Sequence, residues 1–120
     1  MESEPTQPEQ LRERTKKFAL RIINLFRALP RTTVARIMGT QLLRSGTSVA
    51  ANYRAVCRAR SKAEFVAKIG VVVEEADETV FWLEMLVESG IVRAKRMESL
   101  LKEARELLAI FAASQRTARS

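Results

Sequence analysis

Apolar residues recur with the 3.6-residue period of an α-helix through most of the chain. The longest stretch, residues 61–90, contains no proline, begins with a Ser-x-x-Glu capping box at Ser61 and Glu64, and ends at Gly90. Its apolar residues fall on one helical stripe, made of Phe65, Ile69, Val72, Ala76, Val80, Leu83 and Val87. We therefore predict one long helix that buries this stripe.

The remaining pattern predicts three further helices. The four predicted helices span residues 11–29, 34–57, 61–90 and 93–114. Pro30 ends the first, because the residue before a proline disfavours the α conformation, and Thr32 or Thr33 can cap the second. Short connections favour an all-α, antiparallel up-and-down four-helix bundle over residues 11–114. The polar segments 1–10 and 115–120 are expected to be flexible.

Polar residues occupy the inward line of the second helix, where apolar ones are expected. The line consists of Gln41, Ser45, Ser48 and Asn52. Small and amide-bearing residues let two helices approach closely and can form hydrogen bonds with each other or with nearby backbone. A ligand site is the alternative, and we favour the helix-packing role.

Two large aromatic residues of the third helix, Phe81 and Trp82, lie away from its apolar stripe, near Glu75 and Glu78. A helix with apolar groups on two faces usually has more than one packing partner. These rings could stack on nucleic-acid bases, but the neighbouring carboxylates would repel phosphate. We therefore predict that these four residues lie at an interface between subunits.

Composition excludes several kinds of site. The chain has one cysteine, Cys57, and no histidine, so an intramolecular disulfide, the usual zinc sites and His-dependent nucleophiles cannot form. We expect no metal, no cofactor and no enzymatic activity, and we interpret Cys57 as a small buried apolar residue. No apolar run approaches the roughly 18 residues of a membrane span, so we expect a soluble, cytoplasmic protein without a membrane role.

The formal net charge is +7, and it is unevenly distributed. Residues 34–63 contain six Lys and Arg and no acidic residue, whereas residues 64–90 contain one lysine and seven acidic residues. Clustered cations bind phosphate backbones through counterion release. The predicted nucleic-acid-binding residues are Arg36, Arg44, Arg54, Arg58, Arg60 and Lys62, with Arg12, Lys16 and Lys17 as a second patch. Alternatively, the arginines pair with the acidic helix within or between subunits.

Three segments carry a resemblance to a known family: QLLRSGTSVAANYRA, RARSKAEFVAKIG and EEADETVFWLEML. They resemble the four-helix-bundle proteins encoded by intervening sequences in bacterial large-subunit ribosomal RNA genes. Accessory variability proteins of diversity-generating retroelements are related to that family. The matching positions are Gln41, Leu42, Ser45, Ser48, Asn52, Ser61, Lys62, Glu64, Phe65, Glu78, and Leu83 or Leu86. After Asn52, where the family commonly has an acidic residue and a glycine, this chain has Tyr53, Arg54 and Ala55.

The resemblance implies a ring-like homopentamer of four-helix bundles without catalytic activity. For the retroelement branch it also implies binding of nucleic acid and of a reverse transcriptase. Two hypotheses follow from the sequence. The first is a basic oligomer that binds RNA or DNA, as an accessory factor to a reverse transcriptase in the retroelement case. The alternative is a structural oligomer whose basic surface binds an acidic protein.

Overall fold

The computed structural model describes residue 4 and residues 6–120, and it consists of four helices. The helices are α1 (Gln7–Ala28), α2 (Thr33–Val56), α3 (Lys62–Glu88) and α4 (Ala94–Arg119). Each helix packs against the next one in the chain, and α1 and α4 meet less closely. The predicted all-α class is confirmed, and the arrangement is that of a four-helix bundle in the described part of the chain.

Side-chain caps fix three of the four helix starts. Thr32 and Ser61 accept hydrogen bonds from backbone N–H groups three residues later, at 3.2 and 3.0 Å. Only the serine half of the predicted Ser61 capping box forms, because the Glu64 carboxylate pairs with Lys68 at 2.8 Å. Gly90 ends the α3 region with a φ of +80°, a conformation that glycine adopts without steric cost.

Helix α1 begins before the predicted start at residue 11. Thr6 and Glu9 form a reciprocal capping box, with both hydrogen bonds at 3.3 Å, and Pro8 lies in the first turn, where its missing N–H costs nothing. Residues 7–10 are therefore helical, and the flexible segment predicted for 1–10 was wrong there. Residues 1–3 and 5 lie outside the described part of the chain.

Helix α4 continues past the predicted end at residue 114. No glycine or proline interrupts residues 94–119, the half-buried Gln115 lies beside α3 at Gly70, and Arg116 and Arg119 complement the negative end of the helix dipole. The tail predicted to be flexible from residue 115 is thus helical through Arg119.

The core contains apolar side chains from all four helices. Its largest fully buried members are Phe18, Ile22, Leu42, Val49, Ile69, Val72, Leu83, Leu86, Met97, Leu107 and Phe111. Five residues of the predicted α3 stripe are buried, whereas Phe65 and Val87 at its ends are half-buried. Helices α1 and α4 are the neighbouring pair that packs least closely. Arg14 links them, with ion pairs to Glu103 at 2.7 Å and Glu106 at 2.8 Å.

Candidate nucleic-acid interface

A groove of about 640 Å³ lies between the first half of α1 and the second half of α2. It brings together two pairs of cations that are far apart in the sequence, Arg12 and Lys16 on α1 with Arg54 in the last turn of α2 and Arg58 just after the end of α2. We call it the basic groove. Its other lining residues are Glu9, Glu13, Thr47, Ala50, Ala51 and Cys57. Residues of the two patches that the sequence predicted separately therefore lie on one surface.

The helical spacing of these residues explains the groove. Arg12 and Lys16 are four residues apart, as are Arg54 and Arg58, so each pair projects on one side of its chain segment. Between the two pairs lie the small side chains Ala50 and Ala51, which leave the space open. Arg54 lies in the last turn of α2, where the helix dipole favours a cation.

The groove is positively charged and accessible. All four groove cations are exposed, and within the described residues none of them forms an ion pair. Four cations against two carboxylates leave a formal charge of +2. The Glu9 carboxylate accepts a hydrogen bond from Thr6 at the cap of α1, and Glu13 lies 3.9 Å from Lys17. The excess positive charge is therefore free to meet an anionic ligand.

The groove continues into a neighbouring hollow at the same end of the bundle. That hollow shares Arg12 and Cys57 with the groove and adds Arg60, from the α2–α3 connection. Lys62 lies further off, with its Nζ donating to the backbone oxygen of Ser120 at 3.4 Å. Lys17 interacts with Glu13 on α1 rather than lining the groove.

Two other predicted cations lie away from the groove. Arg44 forms ion pairs with Glu75, at 3.3 Å, and with Glu78 of α3. The hydrogen bond to Glu78 chiefly raises the Arg44 pKa, and the charges of both glutamates add to this effect. Arg36 lies 18 residues before Arg54 on the same helix, or about 27 Å along its axis. For Arg44 the structure therefore agrees with the alternative that we left open, pairing with the acidic helix.

Tyr53 and Cys57 lie beneath and within the groove. Tyr53 is 6% exposed, and its ring packs 5.2 Å from that of Phe111. Burial raises the Tyr53 pKa well above its usual value, the neighbouring Cys57 adds to the rise, and the charge of Arg12 opposes it. Cys57 is half-buried and lines the groove, which corrects our prediction of a buried residue. Its position was missed because helical periodicity alone does not reveal the gap beside it.

The polar line of α2 is mostly engaged in local hydrogen bonds. Ser45 is fully buried, and its Oγ donates to the Leu42 carbonyl at 3.3 Å. Asn52 Nδ2 donates to the Ser48 carbonyl at 2.9 Å and lies 3.0 Å from the Ser48 hydroxyl. Gln41 is half-buried. The Ser45 hydroxyl and the Asn52 amide nitrogen are thus used within α2.

The aromatic pair lies on α3, away from the groove. Phe81 is 48% exposed and meets the half-buried Trp82 edge to face, with ring centroids 4.9 Å apart. Trp82 Nε1 donates to Glu78 at 3.4 Å. Glu75 and Glu78, which we predicted at a subunit interface, thus have an intrachain partner in Arg44.

Exposed apolar side chains surround this network. Arg44 lies opposite residues 75–78, so the antiparallel register places Ile37, two turns earlier on α2, near Met85, two turns after Glu78. Val34, Ile37, Phe81 and Met85 are all exposed, and we call these four residues the apolar face.

Metal sites and membrane-spanning segments are two further features to consider. Across residue 4 and residues 6–120, no group of three or more Cys, Asp or Glu side chains is placed to hold a metal ion. None of the four described helices has a segment long and apolar enough to cross a membrane.

Comparison with known proteins places the chain. The family model described as 23S rRNA-intervening sequence protein matches residues 9–113. Among solved structures, the chain is similar to a crystal structure of a protein of unknown function from the S23 ribosomal protein family of Bacteroides thetaiotaomicron VPI-5482. That similarity has 31% sequence identity and a TM-score of 0.84, and it covers 92% of this chain and 99% of the other. The comparison with curated proteins gave no match.

Proposed function

The chain belongs to the 23S rRNA-intervening sequence protein family, and from this premise we propose that it is a non-enzymatic protein that binds RNA in its basic groove. The observation that carries the proposal is the convergence of Arg12, Lys16, Arg54 and Arg58 on one accessible surface. Four cations that form no ion pair with any described residue make a positive surface of the kind that binds phosphate backbones.

The distribution of ion pairs supports the groove over the other basic residues. Where α2 approaches the acidic α3, Arg44 is paired, so its charge is already neutralised by Glu75 and Glu78. The groove faces α1 instead, whose two lining carboxylates do not balance the four cations. An acidic protein could bind the same charge, but the family name refers to ribosomal RNA, and we therefore prefer RNA as the partner.

We also propose that the protein self-associates through the apolar face. Soluble monomers rarely expose several large apolar side chains together, and such a group usually marks an interaction surface. Val34, Ile37, Phe81 and Met85 are between 36 and 61% exposed. A homopentamer, as the family resemblance implies, would present several basic grooves to one RNA and would strengthen binding through multivalency. The reverse-transcriptase partner is supported by the resemblance alone and stays a prediction.

Charge-neutralising variants test the RNA proposal. Fluorescence anisotropy with a labelled, structured RNA at about 0.1 M salt would compare the wild type with Arg54→Gln and with Arg54→Gln combined with Arg58→Gln. We expect affinity to fall roughly tenfold for each cation removed, and the slope of log K against log salt to fall by about one unit.

Arg36→Gln is the matched control, because it removes an exposed arginine from the same helix about 27 Å from Arg54. It should change affinity by no more than about twofold. Equal losses of RNA affinity in the control and in the groove variants would show that RNA does not bind in the basic groove. Absence of binding by the wild type at this salt would overturn the proposed function.

A further inference from the structure

We infer that the basic groove takes double-stranded RNA, with its cations on the phosphates and the Glu13 carboxylate accepting hydrogen bonds from ribose 2′-hydroxyls. This inference rests on the proposed function, since it specifies which form of nucleic acid the same groove takes. Three properties of the groove carry it. The groove has no side chains that could stack on bases, it lacks neutral polar groups that could read base edges, and its carboxylates lie beside its cations.

Recognition of single strands relies on aromatic rings that stack on splayed bases, and the basic groove has none. All seven aromatic residues of the chain are in the described part, and none lines the groove. Two of them, Tyr53 and Phe65, line the neighbouring hollow. Tyr53 is buried and packed on Phe111, and Phe65 is half-buried and packs against the core. Bases of a single strand would therefore find no platform here.

The groove also lacks neutral groups that could read base edges. Thr47 is the only neutral lining residue with a hydroxyl, and its Oγ1 donates to the Leu43 carbonyl at 2.7 Å. The remaining neutral lining residues are Ala50, Ala51 and Cys57, and no Asn or Gln lines the groove. Ordered phosphates of a duplex, in contrast, can meet the two pairs of cations without the entropy cost of ordering a flexible strand.

The carboxylates of the groove favour RNA over DNA. Glu9 and Glu13 lie on α1 in line with Arg12 and Lys16, and a carboxylate beside a bound phosphate is unfavourable unless it meets a hydrogen-bond donor. A sugar–phosphate backbone offers one such donor, the ribose 2′-hydroxyl, which DNA lacks. Glu9 is already used at the cap of α1. Glu13 is exposed, and its one ion pair within the described residues, to Lys17, is long at 3.9 Å.

The test compares four ligands of one sequence and about 16 units, the length that double-stranded-RNA-binding domains span. The ligands are duplex RNA, duplex DNA and the two corresponding single strands, each titrated over a range of salt concentrations. Duplex RNA should bind roughly tenfold tighter than single-stranded RNA, and a scrambled duplex RNA should bind equally well within about twofold. If each bound subunit uses its four groove cations, the salt slope on duplex RNA should be about −3 to −4.

Variants of Glu13 separate hydrogen bonding from charge. Removing a negative charge strengthens binding to both duplexes alike, so the ratio of RNA to DNA affinity reports on the hydroxyl contact. Glu13→Ala should lower that ratio roughly fivefold, whereas Glu13→Gln, which keeps an acceptor oxygen, should preserve it. Glu98→Ala, an exposed glutamate of α4 outside the groove, is the control and should leave the ratio unchanged.

The outcomes distinguish this inference from the proposed function. Binding of RNA with equal or tighter affinity for the single strand would overturn the inference and leave the RNA-binding function standing. The role of Glu13 as an acceptor for ribose 2′-hydroxyls would be overturned by equal affinity for duplex RNA and duplex DNA. It would also be overturned if Glu13→Ala and the wild type had the same ratio of RNA to DNA affinity. Failure of every RNA ligand to bind would overturn the proposed function together with the inference.

Discussion

Arg44 on α2 donates a hydrogen bond to the same carboxylate oxygen of Glu78 on α3 that also accepts the indole N–H of Trp82. From the sequence, Arg44 was either a nucleic-acid-binding residue or a partner of the acidic helix, and Glu78 and Trp82 were expected between subunits. Within one chain the three residues link two neighbouring helices. Because the carboxylate neutralises Arg44, the arginine attracts a phosphate less strongly. The link also holds α2 and α3 in the register that brings their exposed apolar residues onto one surface.

Substitution of Arg44 tests this assignment. We expect Arg44→Gln to change RNA affinity by no more than about twofold, because the arginine lies outside the groove and its charge is already paired. The free energy of unfolding should fall by no more than about 1 kcal/mol, since the ion pairs are partly exposed. Anisotropy and urea unfolding measure the two effects. A loss of RNA affinity equal to that of Arg54→Gln would place the α2–α3 side in the RNA interface.

The single tyrosine, Tyr53, provides an alkaline probe of the packing beside the groove. Burial, assisted by Cys57, raises the pKa of Tyr53 above its ordinary value of 10.0, so the folded state favours the neutral phenol. A raised folded pKa contributes stability that is fully present below pH 10 and is lost as the pH rises through and above that value. We expect the phenolate absorbance to appear together with the loss of helical circular dichroism. In urea the same tyrosine should titrate near pH 10.

A titration near pH 10 with the helical signal intact would show that the Tyr53 hydroxyl is accessible in the native protein. The buried packing of this ring on Phe111, beside the groove, would then be wrong.

Self-association depends, in our proposal, on the apolar face. Phe81→Lys places a charge at a half-exposed position of that face, so we expect multi-angle light scattering to show a shift towards the monomer mass while helical content is preserved. Leu20→Lys is the control, because Leu20 is an equally exposed apolar residue on α1, outside the apolar face. A mass unchanged by Phe81→Lys, or lowered equally by Leu20→Lys, would contradict the assignment.

The number of helices and most of the core could be predicted because both depend on local periodicity. The inner residues of α3 recur at helical spacing, and Ile69, Val72, Ala76, Val80 and Leu83 are all buried. The helix ends were harder. The cap at Thr6 and Glu9 was visible in the sequence as a capping box with a proline beside it, but the polar composition of residues 1–10 outweighed it.

The groove could not be predicted, because periodicity shows which side of a helix is polar but not which other helix lies beside it. Arg12 and Arg54 are 42 residues apart and meet only because α1 and α2 are antiparallel neighbours. The packing of the helices also gives Arg44 and Arg54 different surroundings, although both are arginines of α2. Arg44 has carboxylates of α3 within reach, whereas Arg54 faces the gap beside α1.

Helices α1 and α2 are in close contact at Gly46. A Cβ atom there would lie 2.9 Å from Ile22 Cγ1 and 3.0 Å from Cγ2, and Ile22 is fully buried. These atoms are close to the backbone of Ile22 and cannot move aside easily. Gly46→Ala should therefore lower the free energy of unfolding by about 1–3 kcal/mol, although alanine favours helix more than glycine does.

Two comparisons separate steric crowding from helix propensity. Gly70→Ala adds a methyl group whose only close neighbour is the flexible end of Gln115, at 3.2 Å, so it should stabilise the protein by about 0.5–1 kcal/mol. An Ile22→Ala background removes the two closest atoms and leaves only the Cβ of residue 22, at 3.3 Å, so Gly46→Ala should cost much less there. Urea unfolding of the single and double variants measures the change in the free energy of unfolding for each substitution. An equal cost of Gly46→Ala in both backgrounds would show that α1 and α2 are not in close contact at this point, and the geometry of the groove one turn further along α2 would need to be reconsidered.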